Sequence, residues 1–272
     1  MLLQATPPRH SLQIRWEKLP DDFILPDDPV ENIQQPYLAA ALTDALGEAG
    51  LITAEMLIAA NFGLVATVNQ KVVVKAPDWL WVPRVNPVAE GVVRRSYTPL
   101  LEGDGVGVVM EFLSETETSE YSSRPTYPYG KLFYYEQILQ VPTYAIFDPL
   151  AVLLEVRHLQ EGRYVLQSPN DSGRFWIPEL NLWLGVWSGE RLGMTTHWLR
   201  WWNQAGDLLL WSAEKVELER QRAEEERQRA EEERRERLNA VPRLLELGLE
   251  PRQVAEALNL TLEEVEALAK GA

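Results

Sequence analysis

Asp78, Glu111 and Lys131 are the residues of this chain whose types and settings suit chemistry. Asp78 ends the apolar run Val72-Val73-Val74-Lys75-Ala76-Pro77-Asp78. Glu111 stands alone inside a second run, Val108-Val109-Met110-Glu111-Phe112-Leu113, and Lys131 opens an amphipathic segment further on. Burying a carboxylate among apolar side chains is costly unless it is paired or bound to a cation. If the two runs lie side by side in one sheet, Asp78 and Glu111 converge on one Mg²⁺ or Mn²⁺; Mg²⁺ takes carboxylate oxygen, water and substrate phosphate as ligands. Lys131 then supplies positive charge beside an attacked phosphate. These are the parts of a metal-dependent phosphodiesterase site, in which a metal-activated water is the nucleophile. Glu31, in the first expected helix, is a further candidate to orient water or bind a second metal. Each residue also has a plainer reading: a Pro-Asp turn capping a strand, a glutamate at a sheet edge, a solvated lysine at a helix start.

The elements that must position these residues follow from their patterns. Both apolar runs, the second taken from Val106 to Leu113, are short, rich in β-branched residues and bounded by Gly, Asn or Pro, which predicts buried strands. Asp27-Asp28-Pro29-Val30-Glu31-Asn32 is a helix-start signal, and Leu38, Ala41, Leu42, Ala45 and Leu46 then recur at helical spacing up to Gly47 and Gly50. Met56 to Ala66 is expected as a strand with a bend at Asn61-Phe62-Gly63. The polar loop from Ser114 to Gly130 is too long for a simple hairpin and is expected to fold over the site, where Ser114 either steadies a carboxylate or serves as a turn residue. Lys131 to Leu139 places Leu132, Tyr135, Ile138 and Leu139 on one helical face, and Thr143 to Asp148 returns as a strand. Helix and strand following a strand pair predict a mixed sheet. From residue 151 the runs Val152–Val156, Tyr164–Gln167, Phe175–Ile177 and Leu182–Trp187 predict an antiparallel β extension.

Several segments also occur in an order that carries a resemblance. They are Pro20-Asp21-Asp22-Phe23, Lys75-Ala76-Pro77-Asp78-Trp79, Val109-Met110-Glu111-Phe112-Leu113-Ser114, Tyr127-Pro128-Tyr129-Gly130-Lys131 and Val141-Pro142-Thr143-Tyr144-Ala145-Ile146-Phe147-Asp148-Pro149. Over residues 20 to 213 the chain resembles the cyanobacterial "putative restriction endonuclease" family, the Uma group, and more widely the PD-(D/E)xK nuclease fold. The resemblance implies an α/β (α+β) fold with a restriction-endonuclease-like mixed sheet core, an endonuclease activity on DNA and a magnesium site. Leu113 stands where that fold usually has its lysine, so the resemblance implies that the lysine has moved and that Lys131 takes its role.

Composition sets limits. At 272 residues and 46% hydrophobic content the chain can bury a sizeable core. It has no cysteine, and its three histidines, His10, His158 and His197, are scattered, so a metal must be held mainly by oxygen. The absence of a signal-peptide pattern and of a long apolar run predicts a cytoplasmic protein with no membrane segment. The net charge is -15; residues 214 to 272 hold 16 acidic and 11 basic residues against 25 and 15 in the rest, so most of the acid excess belongs to the body. Duplex DNA is held by cationic groups. Arg84, Arg94, Arg95 and Arg124 are therefore read either as a cationic cluster or as scattered surface residues. Seven of the ten tryptophans lie between Trp176 and Trp211, where they either fill a core or stack bases.

Three segments are expected: a nuclease-like domain over 1–213, a charged heptad-repeat helix over 214–240 and a short helix-turn-helix-like tail over 241–272. Glu219-Arg220-Gln221-Arg222-Ala223-Glu224-Glu225 recurs seven residues later, with Val216, Ala223 and Ala230 as its one weakly apolar position per heptad. Glu/Arg pairs at i,i+4, such as Glu225/Arg229 and Arg229/Glu233, support a stiff single helix; a weak coiled coil is the alternative. In the tail, Thr261 and Glu264 form a capping box, and Arg252 is the one base on the helix that would read DNA, so a docking or homo-oligomerisation module stands beside DNA binding. Two functions remain: a metal-dependent endonuclease hydrolysing phosphodiester bonds of DNA, or a nuclease-like scaffold without turnover that acts in assembly through its C-terminal helices.

Overall fold

The computed structural model describes residues 13–18, 33–113 and 119–271, which fall into two compact units, Met1–Trp211 and Ser212–Ala272. In the first unit the elements run β1 (Ile14–Arg15), α1 (Gln34–Glu48), β2 (Leu57–Ala59), β3 (Gly63–Val68), β4 (Lys71–Lys75), β5 (Trp79–Val82), β6 (Ser96–Tyr97) and β7 (Val108–Phe112). A 3-10 turn at Ser119–Tyr121 follows, then α2 (Lys131–Phe133) continuing into a π-helical turn at Tyr134–Ile138. β8 (Thr143–Asp148), β9 (Leu153–Gln160), β10 (Arg163–Leu166), β11 (Phe175–Ile177), β12 (Leu182–Arg191) and β13 (Met194–Trp202) complete it. The fold is mixed α+β, as expected.

The central sheet has six strands in the order β10-β9-β8-β7-β5-β2. β7 and β8 run parallel, joined through α2, and the other neighbours are antiparallel. Side chains alternate between the two faces of a strand. Trp79, Trp81, Met110 and Phe112 join α1 and the antiparallel sheet β11-β12-β13 in one core cluster. Leu80, Val82, Val109, Tyr144 and Ile146 join β3, β4 and the turn at Tyr134–Ile138 in the other. Two-residue loops with positive φ close the hairpins, at Asn69-Gln70 and at Glu161-Gly162, the geometry that matches strand twist.

Several expectations are corrected. The run Val72–Asp78 is not a neighbour of β7. Its strand, β4, pairs with β3 in a different sheet, and Ala76-Pro77 interrupt the ladder, since proline has no N–H to donate. The chain crosses there, and the partner of β7 is β5, beginning one residue after Asp78. Met56–Ala66 likewise splits at the expected bend, sending β2 and β3 to different sheets. The β extension is divided too: β9 and β10 belong to the central sheet, and only β11-β12-β13 stand apart. Trp198, Trp201 and Trp211 are core, whereas Trp176, Trp183 and Trp187 are half-buried. Trp198 and Trp201 are fully buried, and the indole N–H groups of Trp201 and Trp211 donate to Leu42 O and Ala41 O on α1 at 3.2 and 3.0 Å. The Asp27–Asn32 helix signal, with Glu31 in it, lies outside the described residues, as does Pro20–Phe23.

The second unit holds α3 (Ser212–Glu246), α4 (Pro251–Leu258) and α5 (Leu262–Gly271). α3 crosses the boundary expected between 240 and 241 without a break. Its ion pairs among the described residues close mainly at i,i+3, as in Glu217–Arg220 and Glu224–Arg227, with Arg227–Glu231 at i,i+4; the expected Glu225/Arg229 and Arg229/Glu233 are not among them. Val241, Val254, Ala255 and Val265 form a small core. The capping box is present: Thr261 Oγ1 accepts Glu264 N at 3.2 Å, and Thr261 N donates to Glu264 Oε2 at 2.8 Å.

Candidate active site

The pairing of β5 with β7 sets the two carboxylates. Trp79 faces Met110 in the antiparallel register, so Asp78, in the bend just before β5, lies beside the stretch of β7 that carries Glu111. Asp78 Oδ2 accepts the Phe112 N–H at 2.5 Å. The Phe112 carbonyl accepts Gln35 Nε2 at 2.6 Å, from a buried glutamine on α1. The strand end that carries Glu111 is thus gripped from both sides.

Glu111 is 0% exposed. Its Oε1 accepts the Tyr135 hydroxyl at 2.8 Å, and its Oε2 lies 3.2 Å from Lys131 Nζ. Lys131 Nζ also lies 3.1 Å from Oε1 of Glu120, which is 1% exposed. Burial pushes the Glu111 carboxyl up to about 8 against the pull of Lys131 and the Tyr135 hydroxyl, and the Asp78 charge adds to the rise. Burial alone would lower Lys131, but the charges of Glu111, Glu120 and Asp78 outweigh it and hold the ammonium above the ordinary lysine value. Lys131 is therefore charged at neutral pH.

Local backbone geometry delivers Lys131 and Tyr135. Gly130 precedes α2 in an extended conformation, where a Cβ would collide with the Ser122 carbonyl and hydroxyl. Gly130 N donates to Arg124 O at 3.1 Å and Phe133 N to Ser122 O at 3.4 Å, lacing the preceding loop onto the helix start. The expected regular helix is instead a short α turn that widens, with Leu139 N donating to Tyr134 O at 2.9 Å. Such π turns often occur at functional sites. The wider turn buries Tyr134 and Tyr135 together; Tyr134 donates to Leu64 O at 3.0 Å on the neighbouring sheet while Tyr135 reaches Glu111.

The structure thus brings Asp78, Glu111 and Lys131 to one face of the central sheet. Glu31 and Ser114 lie outside the described residues. Three contributors were missed from sequence. Glu120 sat among several acidic residues of a polar loop, with no spacing rule to select it. Tyr135 was counted for its apolar ring and not its hydroxyl. Gln35 left a usable signal, a polar residue in register with the buried stripe of Leu38 and Leu42. Of the four arginines, Arg84 pairs with Asp104 at 3.1 Å, Arg94 with Glu102 at 2.7 Å, and Arg124 donates to Thr126 and Tyr127 of its own loop.

The residues fit a divalent cation held by few protein ligands. Asp78 and Glu111 lie side by side, and a fully buried carboxylate favours a cation beside it. Among the described residues no group of three His, Cys, Asp or Glu is gathered as a metal cage. Mg²⁺ commonly binds through one or two carboxylates, completed by water and substrate phosphate, which is the arrangement such a pair offers.

A mixed sheet with neighbouring carboxylates at one strand end and a lysine from the following helix is consistent with the restriction-endonuclease-like fold. The chain matches the Uma2 family, described as putative restriction endonuclease, over residues 15–194, and it belongs to that family. No curated protein matches the chain. No helix among the described residues is long and apolar enough to cross a membrane.

Proposed function

We propose that this protein is an endonuclease that hydrolyses phosphodiester bonds of DNA with Mg²⁺ or Mn²⁺ at Asp78 and Glu111. The observation that carries this reading is the fully buried Glu111, beside Asp78 at the β5–β7 end and touching the Lys131 ammonium. A bound divalent cation would polarise the phosphate and make its water a stronger nucleophile. Lys131, held protonated, supports charge developing on the phosphate oxygens. Tyr135 fixes the orientation of Glu111, and Gln35 with Asp78 fixes the backbone of Phe112 that follows it.

Other observations favour a second reading, the scaffold without turnover. Lys131 already neutralises Glu111, Arg84 and Arg94 are committed to intramolecular ion pairs, and the net charge is -15. On that reading the C-terminal helices serve docking or homo-oligomerisation. Calorimetric titration of Mg²⁺ and Mn²⁺ separates the two. The endonuclease reading expects saturable binding by the full chain that is lost in Asp78→Asn and in Glu111→Gln; binding by both variants equal to the parent's would place the metal elsewhere.

A further inference from the structure

Lys131 is shared between two carboxylates that belong to different parts of the fold. Glu111 rides on β7 beside Asp78, whereas Glu120 sits in the 3-10 turn Ser119–Tyr121. That turn is tied down: the Glu120 carbonyl accepts the Tyr144 hydroxyl of β8 at 3.0 Å. The ammonium is nearly equidistant from the two, 3.2 Å from Glu111 Oε2 and 3.1 Å from Glu120 Oε1.

A cation and an ammonium on the same Glu111 oxygen repel strongly in a low-dielectric interior. A buried ammonium also needs an anion wherever it stays. Glu120 supplies one already in contact.

We propose that Glu120 is a positioning residue, which retains the Lys131 ammonium beside the site when a divalent cation occupies Asp78 and Glu111. The inference rests on the metal-dependent reading above and gives a role to a carboxylate outside the ligand pair. Without the Glu120 charge, Lys131 has Glu111 as its nearest anion and holds the cation out. With it, Lys131 yields Glu111 while keeping a partner, and remains in place for the phosphate.

The test is calorimetric titration of Mn²⁺ alone into the full chain, Glu120→Gln, Lys131→Met and the double variant, each checked for folding by near-UV circular dichroism. Glu120→Gln should weaken Mn²⁺ binding by about tenfold, within the usual range of coupling between two bound groups. Lys131→Met should tighten it, and the double variant should bind within about threefold of Lys131→Met, because sites that act through one another are not additive. Equal weakening by Glu120→Gln with and without Lys131 overturns the proposal, because Glu120 would then act on the cation as a bare charge. Parent-like binding by Glu120→Gln overturns it as well, and both results leave the metal-dependent reading standing. A parent that binds no Mn²⁺ overturns that reading and the proposal together. Should Glu120→Gln fail to fold, Glu120→Asp withdraws the carboxylate from Lys131 while keeping its charge; weaker binding supports the proposal and parent-like binding overturns it.

Discussion

In the body, Lys131 is 15% exposed and lies between glutamates that are 0% and 1% exposed. Along α3, Arg220 and Arg227 are 76% and 66% exposed beside Glu217 and Glu224. The separations are alike, close to 3 Å in both places, yet the consequences differ. Water screens the α3 pairs, so each adds little to stability. Around Lys131 the surroundings cannot solvate the charges, and burial pushes the Glu111 carboxyl up to about 8. Charged residues at one spacing therefore build a site in one unit and a solvated rod in the other.

The largest effect is expected from Lys131→Ala, which should lower metal-dependent nicking by about 10²–10³-fold, the scale of removing one group that stabilises developing charge. Turnover of supercoiled plasmid reads this, and near-parent activity would reduce Lys131 to a counter-ion for Glu111. Next comes the apolar frame. Trp201 is fully buried and donates to Leu42 on α1, so Trp201→Ala should destabilise the body by about 3–5 kcal/mol. Urea unfolding followed by tryptophan fluorescence checks this, and a cost below 1 kcal/mol would mean that the sheet β11-β12-β13 does not hold α1.

Smaller effects are expected in the charged helix. A peptide of residues 214 to 240, about 40 Å long if fully helical, should be partly helical, monomeric at micromolar concentration and less helical in high salt, because ionic pairs support it. A dimer mass in sedimentation, with helicity rising with concentration, would make it a coiled coil. Acid should loosen α5. The backbone N–H of Thr261, then Arg234 and the Thr261 hydroxyl, hold the Glu264 carboxyl down from 4.5 to about 2. A carboxyl depressed in the folded state stabilises above its unfolded value, and that support fades as pH falls from 4.5 toward 2. The helical signal of residues 212–272 should fall across that window in the parent and show a weaker pH dependence in Glu264→Gln. The smallest effect is Arg220→Ala, for which no resolvable shift in thermal unfolding is expected.

The convergence of Asp78, Glu111 and Lys131 was legible in the carboxylates set in or beside apolar runs and, for Lys131, in the family resemblance. The rest of the site was not, for physical reasons. Glu120 becomes special only when its turn packs under Tyr144, and Gln35 only when α1 lies against the end of β7; both are long-range events. The sheet assignment of Val72–Val74 was misleading because a β-branched run specifies a strand but not its partner, and Pro77 moved the ladder by one strand. The π turn was hidden because the apolar spacing of Leu132, Tyr135, Ile138 and Leu139 reads equally as a regular helix. In the C-terminal unit the Thr261/Glu264 box was readable outright, since its parts lie three residues apart.

Glu111 and the half-buried Asp78 are proposed to support metal-dependent cleavage of DNA. Incubating supercoiled plasmid with the full chain in Mg²⁺ and in Mn²⁺, beside Glu111→Gln and a chelator control, tests it most directly. Nicked and linear products are expected from the parent, needing the metal and disappearing in Glu111→Gln. No cleavage by the parent in either metal, or equal cleavage by Glu111→Gln, would contradict it.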